Sequence, residues 1–455
     1  MIAALRLRLA GLTTGASTNR RIFGAMLTVG ALTALVKLTV AAKDLVVAGK
    51  FGTADAIDAF LTAFAVPTFA AQVIAGSFTA ALVPTFVEVR ERRGADEARR
   101  LFSSVMVIAL LFLAVAALLL AAASPLFLPL LGSRFSPEKL ALTQRLFLWL
   151  LPVLLLNGVS TAWASVLNAG ERFALAAVAP LVTPLAPVAA VLVLGDRVGV
   201  SALVAGTLVG FAGETVLLGV GLRRHGIPLL PRFCGMDPAI RTILHQYAPM
   251  VAGAFLMGSH IIVDQGMAAW LAPGSVAALS YGGKLVAFLV GLGSLSLSTA
   301  VLPHYSRMVA QGDFTGVRAT YRLYLGATLA VTIPVALAGI ALAEPVVRLL
   351  FERGAFTAAD TATVARIQAH AMFQLPAMVA ASLVVRLISA LKANHLLMAA
   401  AVMNAVNNVV LDYLFMRWLG VAGIALSTTV VYWLSFLFCV AATARLLAKR
   451  SAHVG

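Results

Sequence analysis

The chain has 455 residues, of which 61% are hydrophobic and only 11% are Asp, Glu, Lys or Arg. Soluble domains carry about a quarter charged residues, and a mean hydropathy of +0.97 excludes both an ordinary water-facing surface and a disordered chain. The net charge of +16 would point to nucleic acid on a soluble protein; here it is expected from basic residues that hold membrane topology, so no nucleic-acid partner is predicted.

Hydrophobic runs of about 20 residues or more define the spans of an all-α polytopic membrane protein lying in the bilayer. They fall near 22–48, 57–88, 102–131, 141–168, 174–194, 199–222, 246–271, 276–306, 319–343, 362–391, 395–417 and 420–446, which makes twelve. The first follows Arg20-Arg21 and is long enough to stay as a helix, so no cleavable signal is expected. The polar stretch 223–245 divides the spans six and six, giving an N-terminal lobe over 1–226 and a C-terminal lobe over 227–455. Its part from Leu229 to His245 alternates basic and apolar residues and is expected in the membrane interface.

Lysines and arginines concentrate at the termini and in the loops after even-numbered spans, among them Arg90, Arg92, Arg93, Arg99, Arg100, Arg223 and Arg224. The other side holds only Lys50, Arg134, Lys139, Arg197, Arg348, Arg353 and Arg417. Both termini are therefore predicted to be cytoplasmic.

The two halves echo each other. Ala-Ala-Leu-Val-Pro84, a basic loop and Arg100-Leu-Phe recur as Thr-Ala-Val-Leu-Pro303, a basic loop and Arg322-Leu-Tyr. Leu151-Pro152 and Leu167-Asn168-Ala-Gly find their echo in Leu375-Pro376 and Leu391-Lys392-Ala-Asn394. Six helices per repeat is even, so both copies enter the membrane the same way. Two pseudo-symmetric six-helix lobes around a central cavity are a transporter architecture.

Ionisable groups inside spans are costly unless they pair or face water, which makes them functional candidates. In the first half these are Lys37, Lys43, Asp44 and Asp58. Lys37 and Lys43 are about 120° from sharing a face of a straight helix, yet both can border one wide cavity. Asp58 opens the second span, where an acid suits the helix dipole. In the second half Asp264 and Lys284 precede Asn404, Asn407, Asn408 and Asp412. Asn408 and Asp412 stand i,i+4 on one face. With Asp264 they compose either a hard-oxygen site for a small cation or amide contacts between helices. His260, Glu214, Gln374 and Arg386 read as isolated structural groups. Cys234 and Cys439 form no CxxC or Cys/His cluster, so neither a disulfide framework nor zinc is expected. No Walker A, HExxH or GxSxG pattern occurs, so the chain reads as a transporter rather than an enzyme.

Lys43-Asp44, Phe51-Gly52, Asp58-Ala59-Phe60, Pro67 and Val83-Pro84 stand in an order that resembles the start of the MurJ/MviN family. The likeness continues through Leu167-Asn168-Ala-Gly-Glu-Arg172-Phe173, Ala179-Pro180, Val301-Leu302-Pro303 and Leu350-Phe351-Glu-Arg-Gly354-Ala-Phe356-Thr357. It covers nearly the whole chain. The resemblance implies a lipid II flippase of the multidrug/oligosaccharidyl-lipid/polysaccharide exporter superfamily, in the bacterial cytoplasmic (inner) membrane. The implied partner is a polyprenyl-pyrophosphate-linked glycan lipid, carried from inner to outer leaflet. Lys37, Lys43 and Lys284 stand at cavity positions where the family has arginines; lysine keeps the charge without the bidentate fork. Asp44 and Asp58 are expected to tune those lysines or link cavity to gate.

The resemblance also implies a sodium site, a coupling or regulatory ion held by Asp264, Asn408, Asp412, Thr428 and the Ile424 carbonyl; no other cofactor is expected. The member is expected to be divergent. The family's basic pair after Pro67 is missing, Ala75 stands where an acid is implied, and a further C-terminal helix pair has no counterpart here. A monomer is expected, alongside cell-wall or polysaccharide synthesis machinery. Three alternatives stay open: a flippase for another lipid-linked oligosaccharide such as an exopolysaccharide or O-antigen unit, a cation-coupled drug exporter, and a non-transporting scaffold.

Overall fold

The computed structural model describes the backbone of residues 18–170, 173–227 and 229–451, and the side chains within them except at 18–29, 173, 294–304, 306 and 451. Glu171 and Arg172 lie outside the described residues, as do the side chains of Arg20, Arg21, Phe173, Val301, Leu302 and Pro303. The helices in chain order are α1 (Thr18–Phe51), α2 (Asp55–Arg93), α3 (Ala95–Leu131), α4 (Pro137–Ala169), α5 (Phe173–Val178), α6 (Val182–Val198), α7 (Val200–Arg224) and α8 (Pro238–Ala269). They continue as α9 (Ser275–Gly282), α10 (Lys284–Ala310), α11 (Phe314–Ala341), α12 (Ala343–Phe351), α13 (Ala358–Met372), α14 (Gln374–Ala390), α15 (Asn394–Leu419) and α16 (Val421–Ser451). No strand occurs among the described residues.

Among those residues, 11 helical segments are long and apolar enough to cross a membrane. The chain is a multi-pass membrane protein. The remaining expected span, 22–48, forms α1, whose apolar run is interrupted by Lys37, Lys43 and Asp44.

Several expected spans are broken where the backbone loses a donor or gains freedom. The run 174–194 divides into α5, a 3-10 turn at Ala179–Leu181 and α6, because Pro180 and Pro184 remove N–H groups from the helical ladder. The run 276–306 breaks at Gly283 and the run 362–391 at Phe373. The short helix α12 lies outside the expected spans; its nine residues are too few to span hydrocarbon. In the segment 229–245 helix begins only at Pro238. Before it, the chain has no regular structure and is pinned to α3: Ser103 Oγ accepts from Arg232 N at 2.6 Å, and Ser104 Oγ from Cys234 N at 2.9 Å.

Packing divides the chain into two units, one of residues 1–46, 70–121 and 149–251, the other of 47–69, 122–148 and 252–455. The helices α1, α2, α3, α4 and α8 run 32 to 39 residues, well beyond the ~20 that cross the hydrocarbon core. Each therefore contributes its two ends to different units.

The first unit has a core of Phe78, Leu82 and Phe86 from α2, Leu101 and Phe102 from α3, Val166 and Leu167 from α4, and Leu218 and Leu222 from α7. Within it α6 and α7 meet backbone to backbone. A Cβ added at Gly206 would stand 2.6 Å from Pro187 Cα, and one at Gly210 would stand 2.9 Å from the Thr183 carbonyl oxygen. Small residues permit such closeness in a membrane, where dispersion rather than water exclusion drives helix association.

The second unit centres on Leu383, Val384, Leu387 and Ile388 of α14, packed with Tyr305 of α10, Tyr321 of α11 and Phe436 of α16. Its α15 and α16 are joined by Gly420 at φ 60°, ψ −139°. In the first unit α6 and α7 are joined by Gly199 at φ 58°, ψ −137°. The same helix–glycine–helix turn thus recurs 420 − 199 = 221 residues apart, the spacing of the internal echo.

Candidate cation and substrate sites

In the second unit, the tight turn at Gly420 folds α16 back along α15. Gly423 continues the approach, since a side chain there would collide with the Phe415 carbonyl. Ile424 and Thr428 are thereby brought opposite Asn408 and Asp412. Asn408 Nδ2 donates to Asp264 Oδ1 at 2.8 Å and to Asp412 Oδ2 at 3.3 Å. Thr428 Oγ1 lies 3.2 Å from Asp264 Oδ2 and 3.0 Å from the Ile424 carbonyl oxygen. All five residues expected for a sodium site are therefore together.

Asn408 and Asp412 are buried, and Asn408 Oδ1 and Asp412 Oδ1 have no hydrogen-bond partner. Among the described residues no lysine or arginine pairs with Asp264 or Asp412. Two carboxylates in a buried site, with orphaned oxygens beside them, fit a small hard cation, which would satisfy the oxygens and balance the charge. Asn404 Oδ1 is likewise without a partner, while its Nδ2 donates to Ser435 Oγ at 3.1 Å, an amide contact between α15 and α16.

Asp58, also in the second unit, is 1% exposed. It does not cap its own helix, which begins one turn earlier at Asp55. Its carboxylate accepts from the N–H groups of Gly274 at 2.7 Å and Ala277 at 2.8 Å, at the start of α9. That helix has no side-chain cap of its own, so Asp58 satisfies two of its orphan donors from α2. Lys139 Nζ lies 2.8 Å from Asp58 and 2.6 Å from Asp55, with its charge 4.1 Å above the Phe135 ring. The spacing of the apolar runs places Lys139 in a loop, whereas it lies in the first turn of α4. A signal was present: a cation in the first turn of α4 opposes the helix dipole and calls for acids nearby.

The Phe51-Gly52 and Gly354-Ala-Phe356 motifs meet in the same unit. Ala355 N–H donates to the Gly49 carbonyl at 2.8 Å. Gly354 has φ +58°, and a side chain there would collide with that carbonyl; one at Gly52 (φ +55°) would collide with the Ala355 carbonyl. Thr53 Oγ1 donates to Asp360 Oδ1 across the same seam. Lys284 is half-buried in this unit and opens α10 directly after Gly283.

Lys37, Lys43 and Asp44 belong to the first unit. Lys37 is exposed. Lys43 forms an ion pair with buried Asp44 at 3.0 Å. Lys43 also lines a cavity of about 210 Å³ with Val36, Val40, Pro180, Thr183, Pro184 and Glu214. The two lysines differ in environment, although their spacing leaves room for both to border one cavity. Glu214, taken above for an isolated polar group, shares that cavity and accepts from the Thr183 hydroxyl at 2.5 Å. Its place follows from the glycine stripe Gly206, Gly210, Gly213, which draws α7 against α6.

The family model described as lipid II flippase MurJ matches residues 47–454. The lipid II flippase MurJ of Burkholderia cenocepacia is 28% identical over 361 residues, covering 76% of this chain and 69% of that one. The MurJ protein of Rhizobium tropici is 27% identical over 431 residues, covering 90% and 78%. A solved structure of lipid II flippase MurJ in an inward closed conformation superposes with a TM-score of 0.78 at 22% identity, covering 94% of this chain and 90% of that one. An inward-facing multidrug resistance MATE family transporter gives a TM-score of 0.76 at 11% identity, covering 94% and 99%. With a family match over nine-tenths of its length, the chain belongs to the lipid II flippase MurJ family.

Proposed function

We propose that this protein is a transporter that carries lipid II, a polyprenyl-pyrophosphate-linked glycan lipid, from the inner to the outer leaflet of the bacterial cytoplasmic membrane by alternating access. The family match over residues 47–454 carries this reading. Lys37, Lys43 and Lys284 lie in helices rather than loops, where ionisable side chains are functional candidates. They would offset the pyrophosphate charge in a water-filled central cavity between two six-helix lobes, while the prenyl tail stays in lipid. Lysine engages phosphate as a point charge.

Sodium held by Asp264, Asn408, Asp412, Thr428 and the Ile424 carbonyl would supply charge neutralisation at that site. It biases the lobes only as far as it binds one arrangement more tightly than the other. Asp58, with Lys139, ties α2 and α4 to the start of α9, a tie suited to a gate. Both termini are cytoplasmic in this reading, and the protein works as a monomer beside the cell-wall synthesis machinery.

The test is complementation of a strain depleted of its own lipid II flippase, at matched membrane expression. Wild type rescues growth; Lys284→Glu, with unchanged melting in detergent, does not. Failure of well-expressed wild type, or full rescue by Lys284→Glu, overturns the reading.

A further inference from the structure

Lys43 and Glu214 face one cavity in the first unit, and a pyrophosphate grip does not account for the acid. We infer that this cavity binds a zwitterionic α-amino-carboxylate group, with its carboxylate on the Lys43 ammonium and its ammonium on the Glu214 carboxylate. This rests on the flippase reading and implies that the carried glycolipid bears an amino-acid group that this cavity takes.

Both charged groups have bonding capacity to spare. Thr183 donates to Glu214 Oε2 at 2.5 Å, and among the described residues no other hydrogen bond reaches this carboxylate, so Oε1 stays free to accept. Lys43 gives one contact to Asp44 at 3.0 Å; an ammonium has three donors. Although both residues line the cavity, no ion pair joins them among the described residues. Opposite charges lining one cavity form a template for a ligand with the reverse pattern.

Size and walls narrow the class. The cavity of about 210 Å³ is smaller than the roughly 300–1,000 Å³ of pockets for drug-sized ligands, yet several times the ~30 Å³ share of one water. It seats one small group. Val36, Val40, Pro180 and Pro184 offer an apolar lining to the carbon skeleton. An amine placed beside Glu214 gains from its charge, whereas a second anion at that end is repelled. One wall is closely packed. Gly210 and Gly213 bring α7 against Thr183 and Val182, and that approach sets Glu214 beside the Thr183 hydroxyl.

Calorimetric titration of the full chain in lipid nanodiscs with alanine, N-acetylalanine, alaninamide and pyrophosphate tests the inference. Alanine is expected to bind, and blocking its amine or its carboxylate to weaken binding about tenfold or more. Glu214→Gln should weaken alanine similarly without weakening pyrophosphate. Absence of alanine binding, equal binding of N-acetylalanine, or an unaffected Glu214→Gln protein overturns it. The blocked ligands act on wild type, so the outcome stands even where the variant misfolds. In liposomes, the lipid-linked glycopeptide with a free amine should flip about tenfold faster than its acetylated form. Equal flipping of both keeps the flippase reading and overturns this inference. Flipping of neither overturns the flippase reading, and the alanine titration then decides the cavity by itself.

Discussion

The Lys139 ammonium lies 2.8 Å from the Asp58 carboxylate, with both side chains sealed from solvent at 6% and 1% exposure. Asp58 also holds two N–H groups at the start of α9, so α2, α4 and α9 converge on one carboxylate. Replacing Lys139 by Met leaves that carboxylate buried without its counter-charge. The expected loss is about 3–5 kcal/mol, read as a lowered melting temperature in detergent. The double variant Asp58→Asn with Lys139→Met should regain part of it, since no charge is then stranded. A double variant no more stable than Lys139→Met would show that the ion pair does not carry the stability.

Sodium should stabilise the protein through the orphaned oxygens of Asn408 and Asp412. At a concentration 100-fold above its dissociation constant, an ion bound only by the folded state contributes about 2.7 kcal/mol. Melting in sodium chloride should exceed that in choline chloride, and dialysis into choline should reverse the gain. Asp412→Asn should erase the difference between the two salts. A sodium response that survives Asp412→Asn would place the ion elsewhere.

Gly354 adopts φ +58° and presses against the Gly49 carbonyl. Alanine there meets both the left-handed backbone and a collision, and should cost about 1–3 kcal/mol. A melting scan of Gly354→Ala measures it, with Gly326→Ala as control because nothing lies within 4 Å of a Cβ at that position.

At the α6–α7 contact, Gly210→Val should force the helices apart by overpacking, at about 1–3 kcal/mol. The displacement should also draw Glu214 away from Thr183. The variant is expected to lose both stability and alanine binding, measured by melting and calorimetry. Retention of alanine binding would show that the close approach does not position Glu214.

The amino-acid sequence by itself determined the membrane class, the approximate spans and the internal echo, because hydrophobic length and residue order are local properties that lipid enforces along each helix. It also placed Asn408 and Asp412 on one face, since i,i+4 neighbours need only one helix to meet. The family motifs were readable in order, but not why they hold glycine; that required Gly49, Gly52 and Gly354 to meet across more than 300 residues of chain. Tertiary structure alone decided that Asp58 caps α9 rather than its own helix, that Lys139 is a buried counter-ion, and that Glu214 shares a cavity with Lys43. Each of these depends on side chains from separate helices converging, and the partner of a buried charge is chosen by helix packing rather than by sequence spacing.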